Sequence, residues 1–131
     1  MQFILNKGRL PSKRKIPESK IVYTGTHDNQ TSLGWLLALP EKWQKRLRWQ
    51  LNMRGYKGEI VEQLIQYVLD NSVHTAIIPL WDILGLDDSA RFNTPGTLGS
   101  PNWEWKLQDF SRLEEKIIPF AQWLKKYGRI S

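Results

Sequence analysis

The sequence predicts an α/β protein, and three observations predict it. A β-branched run at 20–26 climbs to Gly25 and ends in a polar cluster. A second continuous apolar run, Ala76-Ile77-Ile78-Pro79-Leu80, lies about fifty residues on. Helix-periodic stretches stand between the two runs and after them. A strand, helix, strand order with long loops at strand exits is the pattern of a parallel sheet covered by helices.

Each element has a local cause. Phe3-Ile4-Leu5 is a short strand candidate, and residues 6–19 form a basic loop holding Pro11 and Pro17. Residues 20–26 form a strand. A helix over 31–38 follows, with Thr31 or Asn29 able to cap its first turn, and Pro40 stops it. Residues 41–53 form a second helix, because Trp43, Leu47 and Leu51 recur at i, i+4, i+8. Gly55 and Gly58 bracket a turn. A third helix spans 59–70, where Ile60, Val61, Leu64, Ile65, Val68 and Leu69 make one broad apolar face. The run 76–80 suits a buried parallel strand, with Pro79 at its end or at an irregular position. Residues 85–104 form a long loop, and a loop near this length inside a domain usually has a function. Ser111-Arg112-Leu113-Glu114 fits a capping box. Leu113, Ile117, Phe120, Leu124 and Tyr127 continue at helical spacing to a stop at Gly128. Pro119 predicts a kink or a later start.

Composition narrows the function classes. The 131 residues amount to one domain at most, or part of one. With 40% hydrophobic and 24% charged residues the chain is neither disordered nor fibrous. No apolar run approaches the roughly 18 residues of a membrane span, and Met1 to Leu5 is too short for a signal peptide. The absence of cysteine excludes disulfides and thiolate metal sites. These features fit a soluble cytoplasmic protein that binds no membrane. The net charge of +6 raises a nucleic-acid surface as a reading. Yet Lys42, Lys45, Arg46, Arg48, Arg54 and Lys57 read mostly as the wet face of the second helix. Lys7, Arg9, Lys13, Arg14, Lys15 and Lys20 lie in a loop. Solvated charge is the weightier reading, and no nucleic-acid partner is expected.

The chemistry concentrates in Thr24-Gly25-Thr26-His27-Asp28-Asn29, at the exit of the first long strand. Asp28 has two readings, a carboxylate pointing into a sugar-binding cleft or an N-cap for the next helix. His27 beside it favours the first, because two adjacent ionisable groups at a strand exit are uncommon as plain structure. His27 and His74 show no metal-ligand spacing, so neither a metal nor a cofactor is expected. His74 reads as structural. Asn93, in Arg91-Phe92-Asn93-Thr94-Pro95-Gly96, either shapes a turn or uses its amide to donate to and accept from a sugar hydroxyl. Trp81, Trp103 and Trp105 can stack on pyranose rings or simply be buried. Ser32 and Ser89 lack the setting of a hydrolase nucleophile.

Four segments in order carry a resemblance. They are Val22-Tyr23-Thr24-Gly25-Thr26-His27-Asp28-Asn29, then Ile78-Pro79-Leu80-Trp81-Asp82-Ile83-Leu84-Gly85-Leu86, then Ala90-Arg91-Phe92-Asn93-Thr94-Pro95-Gly96, then Asn102-Trp103-Glu104-Trp105. From Lys20 to about Arg129 the chain resembles the C-terminal part of the amylomaltases. These are 4-α-glucanotransferases, or disproportionating enzymes, of the α-amylase clan. The resemblance implies a partial (β/α)₈ barrel, its last three strands with the helices between and after them. It makes residues 1–131 an incomplete catalytic domain, since a full barrel needs roughly 250 residues. It implies retaining transfer of α-1,4-glucan segments to glucose or another glucan, which requires a nucleophile and an acid/base carboxylate close together. Those two belong to earlier strands. Asp28 matches the family's third carboxylate, which binds the reacting ring and stabilises the transition state. His27, Asn29 and Asn93 match sugar-contacting positions.

The resemblance also shows departures. Gln30 stands where the family usually has an acid, Trp81 where it has Gln, and Phe92 where it has Met. Leu10-Pro11-Ser12-Lys13-Arg14-Lys15 replaces a Pro-His-Asn segment. The expectation is a fragment inactive by itself, with an α-1,4-glucan and a chain supplying the missing strands as partners. The alternative is a non-catalytic glucan-binding or split-barrel assembly module.

Overall fold

The computed structural model describes residues 8–11 and 17–131. The strand expected at Phe3 to Leu5, and half of the basic loop, lie outside the described residues.

The chain runs β1 (Ile21–Tyr23), α1 (Ser32–Ala38), α2 (Glu41–Met53), α3 (Ile60–Leu69), β2 (Thr75–Ile77), α4 (Leu80–Ile83), a 3-10 turn (Asp88–Ala90) and α5 (Phe110–Lys126). β1 and β2 pair in parallel, with Ile21 opposite Thr75, Val22 opposite Ala76 and Tyr23 opposite Ile77. Parallel pairing needs a crossover, which α1 to α3 provide. Side chains alternate across a strand. Val22 and Ala76 therefore face the helices, while Ile21, Tyr23 and Ile77 lie on the other face, 54%, 39% and 51% exposed.

The core sits between the sheet and the helices. Leu36 of α1, Leu47 and Leu51 of α2, and Leu64, Ile65 and Leu69 of α3 are almost completely buried. The apolar stripe on α2 leaves Lys42 and Lys45 in water, with Lys45 paired to Glu41 one turn back at 2.7 Å. Two glutamines interrupt the apolar face of α3, and the amide nitrogen of each is bonded, while Gln63 Oε1 is buried without a partner. Gln63 Nε2 donates to Asn52 Oδ1 and to the Tyr56 carbonyl, each at 2.7 Å, and Gln66 Nε2 donates to the Lys57 carbonyl at 2.6 Å. They stitch the α2–α3 turn onto α3. The start of α3 is a reciprocal capping box between Glu59 and Glu62.

Three expectations are corrected. The strand expected over 20–26 narrows to Ile21–Tyr23, because Thr24 turns its hydroxyl to a carboxylate instead of continuing the ladder. The run 76–80 is not one strand. β2 ends at Ile77, and Pro79 becomes the N-cap of α4 with φ −59°. Proline lacks the N–H that a ladder needs, but its fixed φ suits a helix start. α5 begins at Phe110, and its cap is Asp109, whose carboxylate accepts from Ser111 N at 2.9 Å and Ser111 Oγ at 2.6 Å. Ser111 lies inside the helix, so it makes no capping box. Pro119 does not delay the start and sits within the continuous helix.

The expected stop at Gly128 is present. With φ +70° it lets Arg129 N donate to the Leu124 carbonyl and Gly128 N to that of Lys125, the Schellman pattern. Arg129 then clamps the loop between α3 and β2, donating from Nε to the Leu69 carbonyl at 3.0 Å and from Nη1 to that of Val73. Half-buried Phe120, Trp123, Leu124 and Tyr127 pack α5 on the core. His74 is a surface side chain paired with Glu18 at 3.2 Å, where its backbone N–H also donates to the Glu18 carbonyl.

Candidate carbohydrate site at the exit of the first strand

The site begins where β1 ends. Thr24 is fully buried, and its Oγ1 donates to Asp82 Oδ2 at 2.6 Å. Asp82 also accepts from Ser32 N at 2.8 Å and Ser32 Oγ at 2.8 Å. One buried carboxylate of α4 thus ties the end of β1 to the first residue of α1. The loop between those two points carries His27 and Asp28. Burial pushes the Asp82 carboxyl above its ordinary value, and the bonds from Thr24 and Ser32 pull the other way with less effect.

The loop itself is a closed turn. Asn29 N donates to the Thr26 carbonyl at 3.1 Å, and Asn29 Oδ1 accepts from Thr26 N at 2.8 Å and Thr26 Oγ1 at 3.1 Å. Asn29 therefore turns its oxygen inward to shape the turn and keeps its amide nitrogen for other work. The helix cap is Thr31, whose side chain accepts from Gly34 N at 3.1 Å. Asp28 is not the cap. Capping was the competing explanation for its presence, and Thr31 fills that place instead.

A second acid braces the far side of the loop. Asp88, in the 3-10 turn, accepts from Thr31 N at 3.1 Å and from Gln30 Nε2 at 2.7 Å. Its approach to α1 is so close that a Cβ on Gly34 would lie 2.2 Å from Asp88 Oδ1. Only the absence of a side chain at Gly34 permits this contact.

His27, Asp28 and Asn93 come together. Asn93 Nδ2 donates to Asp28 Oδ1 at 2.7 Å across 65 positions of sequence. His27 Nε2 stands 3.4 Å from Asp28 Oδ2, and the two side chains are 52% and 48% exposed. Arg91 holds the two segments in register, donating from Nη2 to the Asp28 carbonyl and from Nε to the Asn93 carbonyl, each at 3.0 Å. The three side chains form a polar rim with one carboxylate, one imidazole and one amide, a set suited to a ring of hydroxyls.

Aromatic rings line this rim. Trp103 lies 5.1 Å from His27 between ring centres and 5.0 Å from Phe92. Trp81 stacks on Phe92 at 5.9 Å, and Trp105 meets Trp81 edge-on at 5.8 Å. An open cleft of about 480 Å³ runs from the exposed sheet face at Ile21, Tyr23 and Ile77 up to Thr26, His27 and Trp81. Apolar walls with a few convergent polar groups are the usual makings of a small-molecule site.

Sequence reasoning did not single out Asp82 or Asp88 as parts of the site, and it gave Arg91 no role beyond marking a functional loop. Asp82 had a signal. It is a lone carboxylate in the apolar run Leu80-Trp81-Asp82-Ile83-Leu84, and a charge in such a run must find partners inside. Asp88 and Arg91 act through contacts 57 and 63 residues away, which no local pattern foretells.

The sequence pattern of the 4-alpha-glucanotransferase family matches residues 1–113. The chloroplast and amyloplast 4-alpha-glucanotransferase of Arabidopsis thaliana is 35% identical over 99% of this chain and 23% of its own length. The 4-alpha-glucanotransferase of Thermus thermophilus is 34% identical over 82% of this chain and 23% of its own. Among solved structures, the amylomaltase of Streptococcus agalactiae in complex with acarbose superposes with a TM-score of 0.76 at 25% identity, covering 86% of this chain and 22% of that one. The chain thus spans less than a quarter of the length of these relatives. Matched over most of its length by that pattern, and similar to plant and bacterial enzymes alike, this chain belongs to the 4-alpha-glucanotransferase family.

Proposed function

We propose that residues 1–131 are the C-terminal segment of a 4-α-glucanotransferase barrel, comprising its last three strands and an incomplete catalytic domain. Asp28 binds hydroxyls of the reacting glucosyl ring and stabilises positive charge as the glycosidic bond breaks. His27, Asn29 and Asn93 contact the same sugar. The nucleophile and the acid/base of retaining transfer come from other strands, so the chain by itself binds α-1,4-glucan without transferring it. The cytoplasm is the compartment this reading assigns, and no helix among the described residues is long and apolar enough to cross a membrane.

The observation that carries this reading is the 2.7 Å bond from Asn93 to Asp28. It joins two of the four resembling segments next to His27, which lines the cleft. The test is a maltotriose incubation of the pure chain with glucose release measured, alongside maltoheptaose binding by titration calorimetry. Binding without glucose release, with the affinity reduced in Asp28→Asn, is the expected result. Glucose release that disappears in Asp28→Asn would refute the inactivity, and failure to bind maltoheptaose would refute the glucan reading.

A separate observation favours a second reading, a module that completes a split barrel. Ile21, Tyr23 and Ile77 are about half exposed on one face of a two-stranded parallel sheet, and parallel sheets are normally covered on both faces. The partner of that reading is a chain carrying the first five strands. Co-purification with such a chain supports it, and a stable monomer that ignores the chain counts against it.

A further inference from the structure

Trp103 combines two features that rarely occur together. Its φ is +64°, the left-handed region that a bulky side chain seldom occupies. The residue is nevertheless 59% exposed, so the backbone conformation is not the consequence of packing the ring into a core. The conformation is held from outside the side chain. Trp103 N donates to the Phe92 carbonyl at 2.6 Å. The neighbouring Asn102 accepts from Thr94 N at 2.9 Å and donates to Thr97 Oγ1 at 2.8 Å. Glycine would satisfy the same turn without strain. Strain that persists under a network of bonds, at a residue left mostly exposed, points to what the ring does at the surface.

The surroundings say what that is. The ring stands 5.1 Å from His27 at an interplanar angle of 38°, and Phe92 meets it nearly edge-on at 79°. His27 in turn stands 3.4 Å from Asp28, which holds Asn93. A pyranose has an apolar C–H face and a rim of hydroxyls, so it needs a flat apolar partner beside polar groups. Aromatic rings meet that need at low entropic cost, because they have two rotatable bonds. Trp81 and Trp105 are half-buried in contact with each other. Trp103 is the most exposed of the three tryptophans at the rim.

We infer that Trp103 is the stacking platform for the glucosyl unit adjacent to the one Asp28 binds, so that the site reads at least two units of an α-1,4-glucan. The inference rests on the glucan reading proposed above. Trp103 contributes little to holding the fold. Its backbone would relax with a residue that accepts positive φ, and its ring sets the preference for longer glucans.

The experiment uses the whole chain and two variants that suit the turn, Trp103→Gly and Trp103→Asn, since Asn also tolerates the left-handed region. Binding of maltose and maltoheptaose is measured by titration calorimetry, with the thermal midpoint of each variant and Asp28→Asn in parallel. Both Trp103 variants are expected to keep or raise the thermal midpoint. Each should lose about tenfold in maltoheptaose affinity, the share of an aromatic anchor, while maltose affinity changes less. Trp103→Phe is expected to restore most of the loss. If both Trp103 variants bind maltoheptaose as well as the parent while Asp28→Asn does not, the platform is refuted and the glucan reading stands. If the parent binds no maltoheptaose, both fall. If both variants lose several degrees of thermal midpoint, Trp103 is a structural residue and the inference is overturned.

Discussion

Asp82 is the most informative residue to perturb, because it joins the two ends of the loop that carries His27 and Asp28. Asp82→Ala would strand three buried donors, Thr24 Oγ1, Ser32 N and Ser32 Oγ. The hydroxyls can rotate in search of other acceptors, but the Ser32 N–H cannot. An unsatisfied buried donor costs about 1–3 kcal/mol, so one fixed donor and part of two rotatable ones come to about 3 kcal/mol. That is a large share of the roughly 5–15 kcal/mol that holds a domain folded. Asp82→Asn keeps an oxygen for Ser32 N and offers its amide to the hydroxyls, so it should cost about 1 kcal/mol or less. The pH dependence separates charge from hydrogen bonding. Burial raises the Asp82 carboxyl above its ordinary value of 3.8, so the folded chain holds that proton more tightly than the unfolded chain. The stabilisation is complete below the ordinary value and is lost as pH rises through the raised one. Asp82→Asn has no such proton and should gain on the parent over that interval. Urea unfolding followed by circular dichroism, from about pH 4 to pH 7, measures both effects. An Asn variant that costs as much as the Ala variant would refute the donor count. A parent that gains on Asp82→Asn as pH rises would show that the three donors outweigh burial.

Two further perturbations test the bracing of the site and the packing behind it. Gly34→Ala would gain about 1 kcal/mol in an ordinary helix, but here the new Cβ falls 2.2 Å from Asp88 Oδ1. It should instead lose about 1–2 kcal/mol as Asp88 is driven from Thr31 and Gln30, and a stabilised variant in urea unfolding would contradict the close approach. Tyr56 donates to Asp70 at 2.8 Å, and burial first, then this bond, push its phenol above the ordinary tyrosine value. Tyr56→Phe should therefore cost about 1 kcal/mol and remove a late-ionising phenol from an alkaline ultraviolet titration. An unchanged titration end-point would show that Tyr56 is not the raised group.

The parts of the fold legible in the sequence were those with a local cause. α2 and α3 lie within a residue of their expected bounds, because an apolar stripe and a nearby stop define each. The run 76–80 was misread because a short apolar run is equally good as a strand or as a helix turn. Pro79 decided it by capping α4 instead of interrupting β2. The start of α5 lies one residue ahead of the expected cap because the Asp109 carboxylate takes both bonds that Ser111 offers. In the site, adjacency made His27 and Asp28 visible. Resemblance, not periodicity, is what links Asn93 to Asp28, since nothing local foretells a bond across 65 positions. Asn29 was expected among the sugar contacts for its position, and its oxygen is engaged by Thr26. What remains for a sugar is its amide nitrogen.

The exposure of Asp28 bears on how much of the proposed chemistry it can perform in this chain. Its side chain is 48% exposed. A carboxylate about 4 Å from a developing positive charge is worth roughly 1 kcal/mol in water and about 4 kcal/mol at an effective dielectric constant near 20. The difference of about 3 kcal/mol corresponds to roughly a hundredfold in rate. Most of the electrostatic benefit thus depends on water being excluded around Asp28, as preorganised sites require. The short bond from Asn93 and the clamp of Arg91 fix where the carboxylate points, so positioning is already built into this chain. Exclusion is not, because the cleft beside it opens onto the exposed face of Ile21, Tyr23 and Ile77. On the proposed reading, covering that face would strengthen Asp28 as a stabiliser of charge without moving it. Binding of glucan and stabilisation of a transition state are therefore separable here, and Asp28→Asn should weaken the first modestly in the open chain while reducing the second far more in a closed barrel.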